Sequence, residues 1–235
     1  IKTTADIREI PVFASMWNMD GLILMGFCEA DYEALRSQTR ISFVVYDGYF
    51  AACSKVVNLT IGHYDGGYQA GQYARELGHT KALCLADNDL CMDKDRMDGF
   101  RAAFAPGKAL FWQIPALQKE RSAYYAEHFR CFLNLHSTVV FAASDFYALD
   151  FMRFLQTKGV RIPDDVQIIG FDDTATSRES VPTLTTVHQD AAQRAKTALA
   201  CLEAMRSGRE CEPQIVLPVT LIPRESTRKM PCRTL

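Results

Sequence analysis

Short apolar runs alternate with helical segments along the whole chain. The runs that predict strands lie at 21–25, 41–45, 56–61, 81–85, 110–114, 139–142, 166–171 and 214–222, the last interrupted by Pro218. The segments that predict helices lie at 6–19, with a start or kink at Pro11, and at 32–38, 65–77, 96–104, 119–133, 146–158 and 190–206. Strands that alternate with helices of this length are typical of α/β folds with parallel sheets. The pattern therefore predicts such a fold, and 235 residues suffice for one large domain or two smaller lobes.

The stretch 158–190 predicts a helix end, a turn and a buried strand that finishes in two carboxylates. Gly159 stands where a helix-terminating glycine is expected, and Pro163-Asp164-Asp165 is a typical turn sequence. Asp172 and Asp173 follow the apolar run directly. Open parallel sheets bind ligands just beyond the carboxyl ends of their strands, so this acidic pair is a candidate for ligand contact.

Polar side chains also follow other predicted strands at their carboxyl ends. The aspartates in such positions are Asp47, Asp87, Asp145 and Asp172. Arg96 opens the next predicted helix after Asp87, and Gln189 ends the extended run 184–188. Several carboxylates, one arginine and one amide suit a neutral ligand rich in hydroxyl groups, because carboxylates accept from hydroxyls and arginine donates to two oxygens. Taken singly, Asp87 and Asp145 are equally well explained as helix caps, with Asp145 capping the helix at 146–158.

Other kinds of site find little support. Asp172 and Asp173 are adjacent and should point to opposite faces of an extended chain, which disfavours an acid/base pair. The spacing of the histidines does not indicate a metal site. Gly66-Gly67 lies at the start of a predicted helix that Asp65 could cap, and a phosphate could bind there, but the sequence has no nucleotide-binding loop. It also has no G-x-S-x-G motif, which would indicate a nucleophilic serine. We therefore expect no cofactor, no metal and no enzymatic activity. Aromatic side chains that could stack on a ligand, or simply pack in the core, are Tyr49, Phe50, Trp112 and Phe146.

Composition excludes some partners. The net charge of −2 gives no electrostatic footprint for nucleic acid, and no apolar run is long enough to span a bilayer. The first residues lack the pattern of a signal peptide. The eight cysteines contain no C-x-x-C pair and are scattered through apolar runs, which favours buried reduced thiols and a cytoplasmic location, although disulfides remain compatible with the even number.

Several motifs, in this order, resemble the effector-binding region of LacI/GalR-type bacterial transcription regulators. They cover nearly the whole chain and are DGLIL at 20–24, G-G-x-x-A…L-G-H at 66–79, R-x-x-G-F…A at 96–103, A-S-D at 143–145, the stretch 159–190, and L-P…L-I-P-R-E-S at 217–226. Each motif is weak alone, but their order and spacing are specific.

The resemblance implies a type I periplasmic-binding-protein-like fold of two Rossmann-like lobes with a small molecule bound between them. A DNA-proximal lobe would comprise 1–61 and 190–217, and a distal lobe 62–189 and 218–235, with crossovers near Ile61, Gln189 and Pro218. Arg96 and Asp172 match the positions that contact ligands most consistently in this family. The further contact positions implied are Asp145, Asp47 and Gln189, with Phe146 as an aromatic candidate.

The chain departs from the family in three respects. The first departure is that the family's helix-turn-helix DNA-binding domain and hinge helix have no counterpart in this sequence. The second concerns the DNA-proximal lobe, where residues 1–4 resemble the end of the second strand. The first strand, the first helix and most of the second strand therefore also have no counterpart. We therefore expect the natural protein to continue upstream. Gly62 replaces a common aspartate, and Leu117 replaces an aromatic residue that stacks on ligands in some members.

These observations support a ligand-sensing, homodimeric core of a transcription regulator, whose effector is a small polyhydroxylated molecule such as a sugar or nucleoside. Operator DNA would be bound only through the missing N-terminal domain, and no membrane contact is expected. The alternative is a solute-binding protein of a transporter, which would be monomeric and exported. An enzyme acting on a sugar or nucleoside is a third hypothesis, for which no convincing nucleophile, metal or acid/base pair is found.

Overall fold

The computed structural model describes residues 9–25, 35, 41–48 and 57–229. Apart from Leu35, the predicted helix at 32–38 lies outside the described residues. So do Tyr49, Phe50 and the segment 1–4 that resembles a strand end.

Helices and strands alternate through the described residues. The helices are α1 (Glu9–Met16), α2 (His63–Glu76), α3 (Cys91–Phe104), α4 (Gln118–Leu135), α5 (Asp145–Thr157), α6 (Ala175–Glu179) and α7 (Ala191–Arg206). The strands are β1 (Gly21–Met25), β2 (Ser42–Tyr46), β3 (Val57–Ile61), β4 (Lys81–Ala86), β5 (Lys108–Gln113), β6 (Val139–Ala142), β7 (Gln167–Asp172), β8 (Thr185–Gln189), β9 (Gln214–Leu217) and β10 (Val219–Ile222).

The chain divides into two compact units, each built on its own sheet. Unit 1 comprises Ile1–Ile61 and Asp190–Pro218, and unit 2 comprises Gly62–Gln189 and Val219–Leu235. The described sheet of unit 1 has the order β1-β2-β3-β9, with parallel pairing throughout. The sheet of unit 2 has the order β10-β8-β7-β6-β4-β5 and is parallel except for the antiparallel pair β10–β8. The predicted α/β fold with parallel sheets is thus confirmed.

The core of each unit lies between its sheet and the helices that cover it. In unit 1, α7 places Ala198 and Cys201 against Val44 and Leu59 of the sheet. In unit 2, the central strands β4, β6 and β7 are buried on both faces, as their continuous apolar sequence predicts. An aromatic cluster between α4 and α5, centred on Phe151, fills one side of that sheet.

Three predicted helix starts are wrong. α3 begins at Cys91, so Arg96 lies in its second turn and does not open it. The sequence pattern misses this start because the first turn, Cys91–Asp95, is partly exposed and carries three charged residues. α2 begins at His63, which places Asp65 in the first turn and not at the cap. α5 begins at Asp145, because the Ser144 hydroxyl caps it by accepting from the Phe146 amide.

Two further observations concern the helices and the cysteines of the described residues. No helix among them is long and apolar enough to cross a membrane. Their five cysteines are all free thiols, at positions 84, 91, 131, 201 and 211.

Candidate functional site

Arg96 is a buried arginine at the carboxyl ends of the unit 2 strands. Its side chain is only 9% exposed, and its guanidinium lies 3.9 Å from the centre of the Phe171 ring. The Nε atom donates to His63 Nδ1 at 3.1 Å, and one Nη donates to the backbone oxygen of Ala143 at 2.5 Å. A guanidinium held on three sides in this way is fixed in orientation, which is what a ligand-binding donor requires.

Close packing of α2 against α3 determines where Arg96 stands. A Cβ atom at Gly67 would lie 1.9 Å from the backbone oxygen of Arg96, and a Cβ at Gly99 would lie 2.0 Å from that of Tyr64. The two helices therefore touch backbone to backbone, which only glycine permits. This packing accounts for Gly67, while a Cβ at Gly66 would lie 2.5 Å from the Phe171 ring of the sheet, so a phosphate at the start of α2 is not needed to explain either glycine.

Asp172, at the end of β7, faces Arg96. Its Oδ1 lies 3.5 Å from Arg96 Nη1 and accepts a hydrogen bond from Gln189 Nε2 at 2.8 Å. β7 and β8 are parallel neighbours, which brings the end residues Asp172 and Gln189 together. Burial raises the pKa of Asp172, while Arg96 and the hydroxyl of Ser144 oppose the shift. Its backbone φ of +117° is a rare conformation for a residue with a side chain, and such strain is common at functional sites.

Asp173 turns away from this group and is fully engaged elsewhere. Its carboxylate binds Arg178 at 2.9 Å, His188 at 2.7 Å and Arg224. Although burial opposes the shift, hydrogen bonds from these three partners lower the pKa of Asp173 to about 2. The two adjacent aspartates therefore serve different purposes, Asp172 at the strand-end site and Asp173 in holding the loop and the C-terminal segment.

The carboxylate of Asp145 points into the protein. Asp145 is fully buried, and its two oxygens accept from the Thr174 amide at 2.8 Å, the Thr174 hydroxyl at 3.1 Å and the Thr186 hydroxyl. Burial raises its pKa to about 6, against the effect of these hydrogen bonds. In this arrangement Asp145 fixes the loop after β7, while its neighbour Ser144 is the residue that reaches Asp172.

A second acidic group, which includes Asp87, lies near Arg96. Asn88 Nδ2 donates to Asp87 Oδ1 at 2.6 Å and reaches Asp93 Oδ2 at 3.4 Å. Burial first, and then the charges of Asp87 and Asp172, raise the pKa of Asp93 to about 6, while Arg96 opposes the shift. Sequence reasoning missed Asp93, although it precedes Arg96 by three residues and so shares its face of α3.

Phe146 is 46% exposed at the start of α5. Its ring packs against the guanidinium of Arg121 at 4.8 Å, and Arg121 also packs against Tyr147 at 4.7 Å. An exposed aromatic ring at this end of the sheet can cover a ligand face. Trp112, by contrast, packs within unit 2 against Tyr124 and other rings of the core, so of its two expected roles, core packing is the one observed.

Asp47 belongs to unit 1 and follows β2. Its carboxylate forms an ion pair of 2.6 Å with Arg194 and accepts from the Thr60 hydroxyl at 2.9 Å. The Arg194 guanidinium lies 4.2 Å from the centre of the Tyr46 ring. Among the candidates from sequence, the structure thus gathers Arg96, Asp172 and Gln189 in unit 2, and holds Asp47 in a separate ion pair of unit 1.

The unit 2 group combines donors and acceptors without metal-binding chemistry. Arg96 donates, Asp172 accepts, and the Gln189 amide does both, a set that suits hydroxyl groups. Within the described part of the chain, no cluster of His, Cys, Asp and Glu could hold a metal ion.

Comparison with known proteins identifies relatives among bacterial regulators. A family model described as a periplasmic binding protein-like domain matches residues 72–227. The chain is 33% identical over 155 residues to the HTH-type transcriptional repressor PurR of Vibrio cholerae, covering 64% of this chain and 46% of that protein. It is 32% identical over 169 residues to the HTH-type transcriptional regulator DegA of Bacillus subtilis, covering 69% and 49%. The chain thus spans about half the length of these curated relatives.

Solved structures share the fold. A LacI family transcriptional regulator from Enterococcus faecium with bound ribose has a TM-score of 0.82 and 24% identity, covering 98% of this chain and 88% of that one. A periplasmic binding protein/LacI transcriptional regulator from Alkaliphilus metalliredigens, complexed with D-xylulofuranose, has a TM-score of 0.81 and 24% identity, covering 95% and 84%. At this level of identity the likeness establishes the type I periplasmic-binding-protein-like fold.

Proposed function

The chain belongs to the family of periplasmic binding protein-like domains, in which it is similar to LacI-type regulators, and we propose that it is the effector-sensing region of such a regulator. Its curated relatives are named as transcriptional repressors and regulators. The proposal assigns operator binding to a helix-turn-helix domain outside these 235 residues.

The observation that carries the proposal is the fixed donor–acceptor pair of Arg96 and Asp172. Arg96 is oriented by Phe171 and His63, and Asp172 is held by Gln189 in a strained backbone conformation. Two preorganised polar groups at the carboxyl ends of parallel strands are the usual core of a small-molecule site.

The proposed effector is a small molecule rich in hydroxyl groups. A hydroxyl can donate to Asp172 and accept from Arg96 at once, so one ligand diol would satisfy both side chains. The fold neighbours include proteins with bound ribose and bound D-xylulofuranose, which supports a screen that begins with sugars. Effector binding would favour one conformation of the protein and so alter operator binding by the whole regulator.

Thermal-shift screening over sugars, nucleosides and sugar phosphates would find the effector, because a ligand that binds only the native state raises the melting temperature. Calorimetry would then compare wild type with Arg96→Ala and with Arg101→Ala. Arg101 lies on the same helix but pairs with Asp98 at the surface. We expect at least about a hundredfold loss of affinity in Arg96→Ala, as for loss of a charged hydrogen-bonding group, and no loss in Arg101→Ala. Equal affinities for all three proteins would refute the assigned site.

The oligomeric state separates the regulator from a transporter's solute-binding protein. We propose that the chain forms a homodimer, whereas solute-binding proteins act as monomers. Sedimentation equilibrium on the purified chain measures this directly, and a monomer at tens of micromolar would favour the second function. The proposal also includes no enzymatic activity, so recovery of a chemically altered effector after incubation would contradict it.

A further inference from the structure

Two of the free thiols lie against each other in unit 1. Cys201 stands in the second half of α7, and Cys211 lies in the segment that leads into β9. The thiol of Cys211 donates a hydrogen bond to the backbone oxygen of Cys201 at 3.5 Å. Burial first, and then the charge and hydrogen bond of the neighbouring Cys211 thiol, raise the pKa of Cys201. The two sulfur atoms are therefore side by side.

The two thiols differ in their access to solvent. Cys201 is only 7% exposed and packs against Val44 and Leu59 of the sheet. Cys211 is half-buried at the edge of the same apolar cluster. A small oxidant in solution therefore reaches Cys211 first. An accessible thiol with a second thiol beside it, which can react with its oxidised form, is typical of redox-sensing pairs.

Hydrogen bonds hold the loop 207–213, which carries Cys211, at both of its ends. At its start, the Ser207 amide donates to the last turn of α7 at 3.0 Å. At its end, the backbone oxygen of Pro213 accepts from the Asn58 amide of β3 at 2.9 Å. These contacts keep Cys211 beside α7, so the two thiols need no large movement of the backbone to react with each other.

We propose that Cys201 and Cys211 are a redox-sensitive pair, which a peroxide converts into a disulfide bond between α7 and the segment before β9. In the first step the Cys211 sulfur attacks the peroxide, so that an S–O bond forms, the O–O bond breaks and one water leaves. The Cys201 sulfur then attacks the sulfur of this sulfenic acid. The S–S bond forms, the S–O bond breaks, and the departing hydroxide takes the Cys201 proton as a second water. Two thiols are oxidised to one disulfide, and one peroxide is reduced to two waters.

The disulfide would fix the loop 207–213 to α7 and so restrain unit 1. A cross-link stabilises the folded protein mainly because it restricts the unfolded chain. α7 also carries Arg194, which forms the ion pair with Asp47, so the bond would restrain the helix that holds this pair. Both thiols belong to unit 1, whereas the proposed effector site is in unit 2, so this inference does not depend on the proposed function.

Peptide mapping of the purified chain after treatment with hydrogen peroxide tests the bond. Arg206 and Arg209 are exposed and lie between the two cysteines, so trypsin separates the peptides 197–206 and 210–224 unless a disulfide joins them. We expect mass spectrometry to find these peptides joined, two hydrogen atoms lighter than their sum, and separated again by dithiothreitol. Oxidation should raise the melting temperature by about 5 °C, as expected for a short cross-linked loop.

Cys211→Ser and Cys201→Ala should each abolish the joined peptides and the rise in melting temperature. Cys211→Ser changes a half-buried position, so it serves the test even if Cys201→Ala, which leaves a space in the core, does not fold. Cys91→Ser, the matched control, removes an exposed thiol of unit 2 and should behave as wild type. Arg96→Ala should also form the bond, so failure of the effector site would not affect the result.

Three results would overturn the proposal. In the first, peroxide oxidises Cys211 to a sulfinic acid and no joined peptides appear. In the second, Cys211 forms its disulfide with a cysteine other than Cys201, in the same chain or in a second copy. In the third, the joined peptides form but the oxidised protein melts no higher than the reduced one, because the bond would then strain the fold.

Discussion

Replacing Gly67 with alanine tests how the fold holds its candidate ligand-binding arginine. The added Cβ would lie 1.9 Å from the backbone oxygen of Arg96, and side-chain Cβ atoms are essentially never found closer than 3.0 Å to such a neighbour. A backbone oxygen cannot swing aside as the end of a long side chain can. α2 and α3 must therefore move apart by about an ångström, and Arg96 must move with them.

Two opposing effects set the size of this change. Alanine in a helix interior is favoured over glycine by about 1 kcal/mol, so without a clash the substitution would stabilise the protein. Overpacking of a close-packed core costs about 1–3 kcal/mol and occasionally more, and a backbone clash belongs at the upper end. We expect a net loss of about 2 kcal/mol in the free energy of unfolding, together with weaker effector binding.

Urea denaturation followed by circular dichroism measures the loss, and Gly62→Ala is the matched control. Gly62 has an ordinary φ of −71°, and its added Cβ would meet only the flexible side chain of Asp65, at 3.3 Å. Because Gly62 is the N-cap of α2, where alanine is less favourable than glycine, that variant should lose no more than about 1 kcal/mol. If Gly67→Ala were as stable as Gly62→Ala, the inferred contact between the two helix backbones would be wrong.

Two more predictions concern ionised groups. The pKa of Asp93 in the folded protein, about 6, lies above its usual value of 3.8, so its contribution to stability is fully present below about pH 4 and is lost as the pH rises through 6. Asp93→Asn should remove up to about 3 kcal/mol of this pH-dependent loss of stability between pH 4 and 7, as measured by urea denaturation midpoints. If stability fell with pH as steeply in the variant as in wild type, the raised pKa of Asp93 would be wrong. Asp173→Asn should lower the free energy of unfolding by about 3 kcal/mol at pH 7, because it leaves the charges of Arg224 and the other partners uncompensated. This loss should shrink as the pH falls towards 2, where the wild-type carboxylate is itself protonated. A loss below about 0.5 kcal/mol at pH 7 would contradict the ion-pair network.

The strands are predictable from sequence because each carries a run of apolar residues, and in β6 this run is buried on both faces. β1 and β6 have the bounds that their apolar letters predict, and the other strand boundaries shift by only a residue or two. Helix starts are harder, because a first turn can be polar and exposed. α3 is an example. Its first turn, Cys91–Asp95, has no helical periodicity of apolar residues, and Leu90 at the N-cap has no side chain that could cap the helix.

The topology of the candidate site is also predictable, but the direction of its side chains is not. Adjacent parallel strands bring the ends of β7 and β8 together, which explains why Asp172 meets Gln189. Asp145 stands at a strand end too, yet Thr174 and Thr186 draw its carboxylate inward, and these contacts depend on a loop that no local pattern describes. The contact of His63 with Arg96 depends likewise on the approach of two helices and leaves no signal in the sequence.

A crystal structure of the chain with the tightest-binding compound from the thermal-shift screen tests the central claim most directly. The account predicts ligand oxygens within about 3.2 Å of both the Arg96 guanidinium and the Asp172 carboxylate. A ligand bound elsewhere, with Arg96 and Asp172 contacting only their present protein partners, would contradict it.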